Sequence, residues 1–261
     1  SLNRLVEPKT EIVTLTDYRT RYAIYRSDTD LQAVHAKHPF ITVWDDHEFA
    51  NDTWTGGAEN HDPAKEGPFS ARRAAALQAY HEWMPIRLPD ATKNDRIYSS
   101  FDFRSLASLH MLDTRLIGRD KQLSYASYMG AGGAFDAAKF TNDMSNPSRQ
   151  LMGAEQTTWL QAQMTKSAAT WQILGQQILM ARMNIPAPLV LGQIGFSDYT
   201  ALLGKAQLAP TTLTATEKAV LAQPAIPYNL DAWDGYVVAR ETLLGTARAL
   251  DKNLISLAGD T

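Results

Sequence analysis

Short apolar runs alternate along the chain with stretches of helical spacing, a pattern that predicts strands interleaved with helices. Residues 30–38 read as a short helix stopped by Pro39, because proline disfavours helical backbone at the residue before it. The run Phe40-Ile41-Thr42-Val43-Trp44, apolar and partly β-branched, then reads as a buried strand. Pro68 and Ser70 open a helix over residues 71–83, with Pro85 just beyond its end. Residues 97–103 and 106–112 read as two strands, and the second delivers Asp113-Thr114-Arg115 at its exit.

Residues 117–150, rich in Gly, Ser, Asn and Tyr and without a sustained period, are expected to form a long surface loop. Helical spacing returns over 155–166, followed by a short strand at 170–174. Residues 180–231 read as an excursion over the substrate side, with one helix at 214–223. A long helix over 233–250 precedes a strand at 253–258, which leads into Gly259-Asp260-Thr261. Strands alternating with helices imply a single α/β domain over 1–261, a layered β-sheet core with helices on both faces. Ligands in such sheets bind beyond the carboxyl ends of strands, where Asp45, Asp46, His47, Asp113, Arg115, Gln176, Gln177 and Asp260 fall.

Composition narrows the chemistry. With 25 Lys plus Arg against 28 Asp plus Glu, the chain offers no basic surface for a nucleic-acid backbone. The absence of Cys excludes thiolate metal sites and a cysteine nucleophile, so a metal here would take oxygen and imidazole ligands. No apolar run approaches the roughly 20 residues of a spanning helix, and residues 1–10 lack a signal-peptide pattern. No Gly-x-Ser-x-Gly elbow supports a serine hydrolase.

The densest chemistry is Asp45-Asp46-His47-Glu48, where three acidic groups and an imidazole repel or compete unless a cation or hydrogen bonds offset them. Hard cations prefer carboxylate oxygen and tolerate imidazole. On an extended segment Asp45 with His47, or Asp46 with Glu48, would face the same way. An exposed acidic turn is the plain alternative. Asn51 and Asp52 would fix the turn or add oxygen ligands. Arg115 has the planar fork that suits phosphate, or else forms a structural ion pair with Asp113. Gln176 and Gln177 read as hydrogen-bond partners for loops, and Asp234 as the N-cap of the last helix. Asp260 follows a strand as Asp45 does, so the two would share one sheet edge. His35, His38, His61, His81 and His110 read as surface or packed histidines.

The run from Pro39 to Asp52, Pro-Phe-Ile-Thr-Val-Trp-Asp-Asp-His-Glu-Phe-Ala-Asn-Asp, resembles the signature of PhoD-like phosphatases. Leu15-Thr16-Asp17-Tyr18-Arg19, Leu112-Asp113-Thr114-Arg115, Leu174-Gly175-Gln176-Gln177 and Trp233-Asp234-Gly235-Tyr236 resemble family segments in the same order. The resemblance implies a metallophosphatase fold and hydrolysis of phosphate mono- or diesters with calcium and iron, in an exported protein. Asp45, Asp46 and Asp260 would be metal ligands or their supports. His47 would hold the phosphate or act as acid, and Arg115 and Asn51 would bind the ester. The family's upstream Gly-Asp-x-x-Tyr element and the histidine of its Gly-Asp-x-His element have no counterpart here. The resemblance therefore implies a domain incomplete at both ends, with little activity by itself; a non-catalytic metal-binding or interaction module is the alternative.

Overall fold

The computed structural model describes residues 6–260; the readings made on residues 1–5 and on Thr261 lie outside them. The chain enters through α1 (Leu15–Arg26), which no run of apolar residues announces. It is set by its cap: the Thr14 hydroxyl accepts from the Asp17 amide while the Asp17 carboxylate accepts from the Thr14 amide at 2.8 Å. Next comes α2 (Thr29–Lys37), capped by Asp28, then a single turn α3 (Pro63–Glu66) and α4 (Phe69–Trp83), which starts directly after Pro68. Helices α1 and α4 pack together around Tyr18, Ala76, Leu77 and Tyr80. Into this core goes Trp44, fully buried and edge-on to Phe49 and Tyr80 at 5.8 and 5.4 Å between ring centroids. The strand expected over residues 40–44 is not formed. The segment takes no regular secondary structure, and aromatic packing of Trp44 fixes it where ladder hydrogen bonds were expected.

Strands β1 (Ser99–Phe103) and β2 (Ala107–Met111) form an antiparallel pair. After them α5 (Ala137–Met144) and α6 (Gly153–Lys166) lead to β3 (Trp171–Ile178), which lies parallel to β2. Two short strands, β4 (Asn184–Pro186) and β5 (Ala225–Pro227), form a separate antiparallel pair. Between them lie α7 (Ala187–Val190), α8 (Phe196–Leu208) and α9 (Ala215–Leu221). Finally α10 (Val237–Ala249) precedes β6 (Asn253–Asp260), parallel to β3, so that the mixed sheet runs β1-β2-β3-β6.

Alternate residues of a strand face opposite sides, so the register assigns each face. On one face Leu174 and Ile178 pack with Leu160 and Met164 of α6 and Leu243 and Ala247 of α10. On the other, Leu109, Ile173 and Ile255 align across the strands, and Phe101, Phe103, Trp171, Ile255 and Leu257 remain partly exposed, Leu257 to 55%. Helices on both faces were expected; the helices of the sheet's main core lie on one. Sequence spacing reports how a helix is amphipathic but not which side of a sheet receives it.

Three further departures have local causes. The 117–150 stretch contains α5 because Phe140 and Met144, four residues apart, join Tyr128 and Leu230 in a small core of their own. Helix α8 buries Tyr199 and Leu202 beyond the reach of the period reading. Asp234 does not cap the last helix. It sits in a 3-10 turn, Trp233–Tyr236, pairs with Arg240 and accepts the Met183 amide at 2.7 Å. Among the described residues no helix is long and apolar enough to cross a membrane.

Gly235 lies in this turn with no room for a side chain: a Cβ would meet the Leu230 carbonyl oxygen at 1.9 Å. Backbone, unlike a flexible side-chain end, cannot step aside. Gly235→Ala is expected to destabilise the chain by about 2–3 kcal/mol, read as a clear fall in thermal midpoint; an unchanged midpoint would show that the turn yields freely.

Candidate functional site

The tight turn after Trp44 is held from below. The Phe49 amide donates to the Asp46 carbonyl at 2.7 Å, and the Asp52 amide donates to Asp46 Oδ2 at 2.7 Å, with Asp52 in the left-handed region at φ 51°. The Tyr18 hydroxyl from α1 donates to the Phe49 carbonyl and accepts from Arg72 Nε of α4 at 3.1 Å. Gln177, at the carboxyl end of β3, ties this turn to the exit of β2. Its Nε2 donates to the carbonyls of Trp44 and Leu112, each at 2.8 Å, and its Oε1 accepts from the Thr114 amide and hydroxyl. Gln156 of α6 similarly brackets Asp113, accepting its amide and donating to its carbonyl. The expectation that the glutamines serve loops is met by Gln177, whose bonds join two chain segments at the carboxyl end of the sheet.

Arg115 occupies the centre. Its side chain is 0% exposed, yet it carries a permanent charge. Asp113 does not neutralise it: Asp113 Oδ1 accepts the backbone amides of Arg115 and Leu116 instead, at 2.8 and 2.9 Å. The guanidinium reaches Asp45 Oδ1 at 2.6 Å, Asp231 Oδ2 at 2.7 Å, Asp260 Oδ2 at 3.2 Å and Asp46 Oδ1 at 3.4 Å. Asp231 also pairs with buried Arg119. Nε, Nη1 and Nη2 each donate to a carboxylate, which takes three of the five guanidinium N–H donors.

Four carboxylates around Arg115 and one further guanidinium leave negative charge in excess. Burial alone would push Asp45 up, but the charge and hydrogen bond of Arg115 hold its carboxyl below the usual range. Asp46 goes the other way: burial raises it, and Asp45 beside it adds to the shift against the pull of Arg115. Burial works against a charged His47, yet Asp46, Asp45, Asp260 and Glu48 together raise its pKa. Its Nδ1 lies 2.9 Å from Asp46 Oδ1 and 3.7 Å from Asp45 Oδ2, while the ring is 68% exposed. Despite these charged neighbours Asp46 Oδ1 is buried and receives no hydrogen bond.

Ligand atoms of Asp45, Asp46 and His47 all lie within 4.8 Å of one another. An orphaned carboxylate oxygen, surplus negative charge and an all-oxygen-and-imidazole donor set fit a hard cation. Glu48 is drawn aside, accepting the Asp45 amide at 2.6 Å, with burial holding its carboxyl up. The alternation argument for Asp46 with Glu48 fails because the segment turns after Asp45.

The structure thus brings together Asp45, Asp46, His47, Arg115 and Asp260 from three parts of the chain. Asn51 does not join them; its exposed amide donates to Glu59 at 2.7 Å. Asp52, read as a turn residue, has its carboxyl pushed up to about 6 by burial and by the charges of Asp231 and Glu59. Sequence reasoning missed Asp231 and Arg119. Asp231 stands 116 residues from Arg115 in an irregular stretch, and no local pattern singles it out.

Removing Asp231 would strip Arg119 of its carboxylate and take one of four from Arg115. Asp231→Ala is expected to cost about 3–5 kcal/mol, the loss typical of breaking a buried ion pair on one side, measured by urea denaturation; a loss under about 1 kcal/mol would mean that Arg115 and Arg119 find other anions.

Alkaline phosphatase D of Bacillus subtilis (strain 168) is 35% identical over 254 residues, an alignment that takes in 96% of this chain and 35% of that protein. A solved structure, "Structure of PhoD", superposes with a TM-score of 0.69 at 32% identity, over 98% of this chain and 41% of its own. The chain therefore spans about a third of the length of the curated relative it matches. With residues 1–261 matched by the family model for PhoD-like phosphatases, the chain belongs to the PhoD-like phosphatase family.

Proposed function

We propose that the knot of carboxylates around Arg115 is part of the active site of a phosphate mono- or diester hydrolase of the alkaline phosphatase D kind. The observation that carries this reading is the buried, donorless Oδ1 of Asp46 amid surplus negative charge. Asp45, Asp46 and Asp260 would hold the metal, which family resemblance suggests is calcium with iron, and export follows from the same resemblance. A bound cation of this kind supplies charge to polarise a phosphoryl oxygen.

The chain's own groups do the rest. With Nδ1 beside the carboxylates and the ring largely exposed, His47 has its protonated form favoured by those acidic neighbours. That proton can hold a phosphate oxygen and pass to a departing alkoxide. Arg115 acts as a positioning residue: its fork spaces Asp45, Asp46 and Asp260 and limits their repulsion. Gln177 keeps the Trp44 turn in register with the Leu112 strand end.

The test uses the protein expressed from its complete gene. Asp46→Asn is expected to lower hydrolysis of p-nitrophenyl phosphate and bis(p-nitrophenyl) phosphate 100-fold or more and to reduce bound metal. Thermal stability should change little, because burial already disfavours the charge that the substitution removes. Unchanged turnover would refute the assignment. Stoichiometric metal without turnover in the wild type would favour a metal-binding module.

A further inference from the structure

Beside the site lies a cleft of ≈ 510 Å³ that shares His47 and Glu48 with it. The volume falls in the range of small-molecule sites. Helix α1 builds one wall with Tyr22, Tyr25 and Arg26, residues at helical spacings of three and four that share a face. Leu31, Phe40 and Met84 complete it. Phe40 stacks on the His35 ring at 3.9 Å between centroids, and Tyr22 lies parallel to Trp83 at 6.4 Å. These aromatic surfaces are not consumed by the core: Tyr25 is 53% and Phe40 44% exposed, with Val34 and Ile41 exposed close by in the chain. Exposed apolar side chains concentrated at a cleft mark a binding surface more than scattered ones do.

Two polar groups of the cleft lack the partners they would ordinarily have. The Tyr22 hydroxyl is buried without a hydrogen bond. Arg26 lies 2.8 Å from His35 Nε2 and donates to Met84 Sδ at 2.6 Å, and no carboxylate pairs with it among the described residues. A half-buried guanidinium is usually met by an anion, and elsewhere in this chain Arg19, Arg72, Arg115 and Arg240 are.

Resting on the phosphoester reading above, we propose that this cleft receives the alcohol portion of the ester and favours a large aromatic alcohol carrying an anionic substituent. The phosphate end lies by His47, the ring slides between Tyr25 and Phe40, and the distal anion meets Arg26. Continuity of the cleft with His47 argues for the alcohol of the ester over an unrelated ligand: a group seated there is attached to whatever His47 holds.

The experiment compares methyl phosphate, 2-naphthyl phosphate and 6-carboxy-2-naphthyl phosphate on the protein from its complete gene. kcat/KM is expected to rise about tenfold at each step. Tyr25→Ala, at an exposed position that leaves the core in place, should lower both naphthyl esters about tenfold and leave methyl phosphate unchanged. Arg26→Gln should erase only the advantage of the carboxylate. Independently of turnover, saturation-transfer NMR should carry saturation to the ring protons of 2-naphthyl methylphosphonate with the wild type and lose it in Tyr25→Ala. Equal kcat/KM for methyl and naphthyl esters, indifferent to both variants, would overturn the subsite and leave the hydrolase reading standing. Failure to hydrolyse any of the three, with the NMR signal intact, would overturn the hydrolase reading and retain the cleft as a binding site for aromatic anions.

Discussion

A guanidinium sealed from water must have its charge answered by the protein, and Arg115 is answered by Asp45, Asp46, Asp231 and Asp260. These four carboxylates come from three places: Asp45 and Asp46 from the turn after Trp44, Asp231 from the irregular segment before Trp233, and Asp260 from the end of β6. Arg115 itself leaves β2. The ion knot therefore works only if three chain segments arrive together, and burial makes a partial arrangement costly. Most of the surrounding architecture serves that arrival. Gln177 fastens the first turn to the β2 exit, Gln156 fastens Asp113, and Arg119 holds Asp231 from its other oxygen.

Overcompensation gives the knot its chemical interest. One guanidinium would be balanced by one carboxylate, yet it has four, and the second guanidinium, Arg119, shares one of these four, Asp231. Such an arrangement is tolerable when protons or cations take up the remainder. The pKa directions show the protein already leaning on protons: Asp46 is pushed up by burial, Asp52 to about 6, and His47 upward by its acidic neighbours. A hard cation would relieve the same charge more completely.

The apolar framework divides the labour. One core, around Leu174 and Trp233, seats α6 and α10 against the sheet. Another, around Trp44 and Tyr80, seats α1 and α4 and presents the acidic turn. Trp44 links framework to chemistry, because its ring is locked between Phe49 and Tyr80 while its carbonyl accepts from Gln177. Helix α1 belongs to both worlds, using Tyr18 for the core and the turn and spending Tyr22, Tyr25 and Arg26 on the cleft.

By itself the sequence determined what depends on neighbours along the chain. Helix α4 after Pro68, strands β1 and β2, helix α6 before β3, helix α10 before β6 and the acidic run at 45–48 were legible from period, proline placement and residue type, and so was a family likeness carried by contiguous motifs. Tertiary structure decided what depends on distant ones. Residues 40–44 have every strand propensity but find no edge to pair with, and Trp44 packing settles them. Arg115 and Asp113, two residues apart, look like an ion pair, yet the geometry of the turn gives Asp113 to backbone amides and Arg115 to Asp231, 116 residues away. Burial, which sets both the partner a charge must find and the pKa that results, is a property of the folded whole, and no window of sequence contains it.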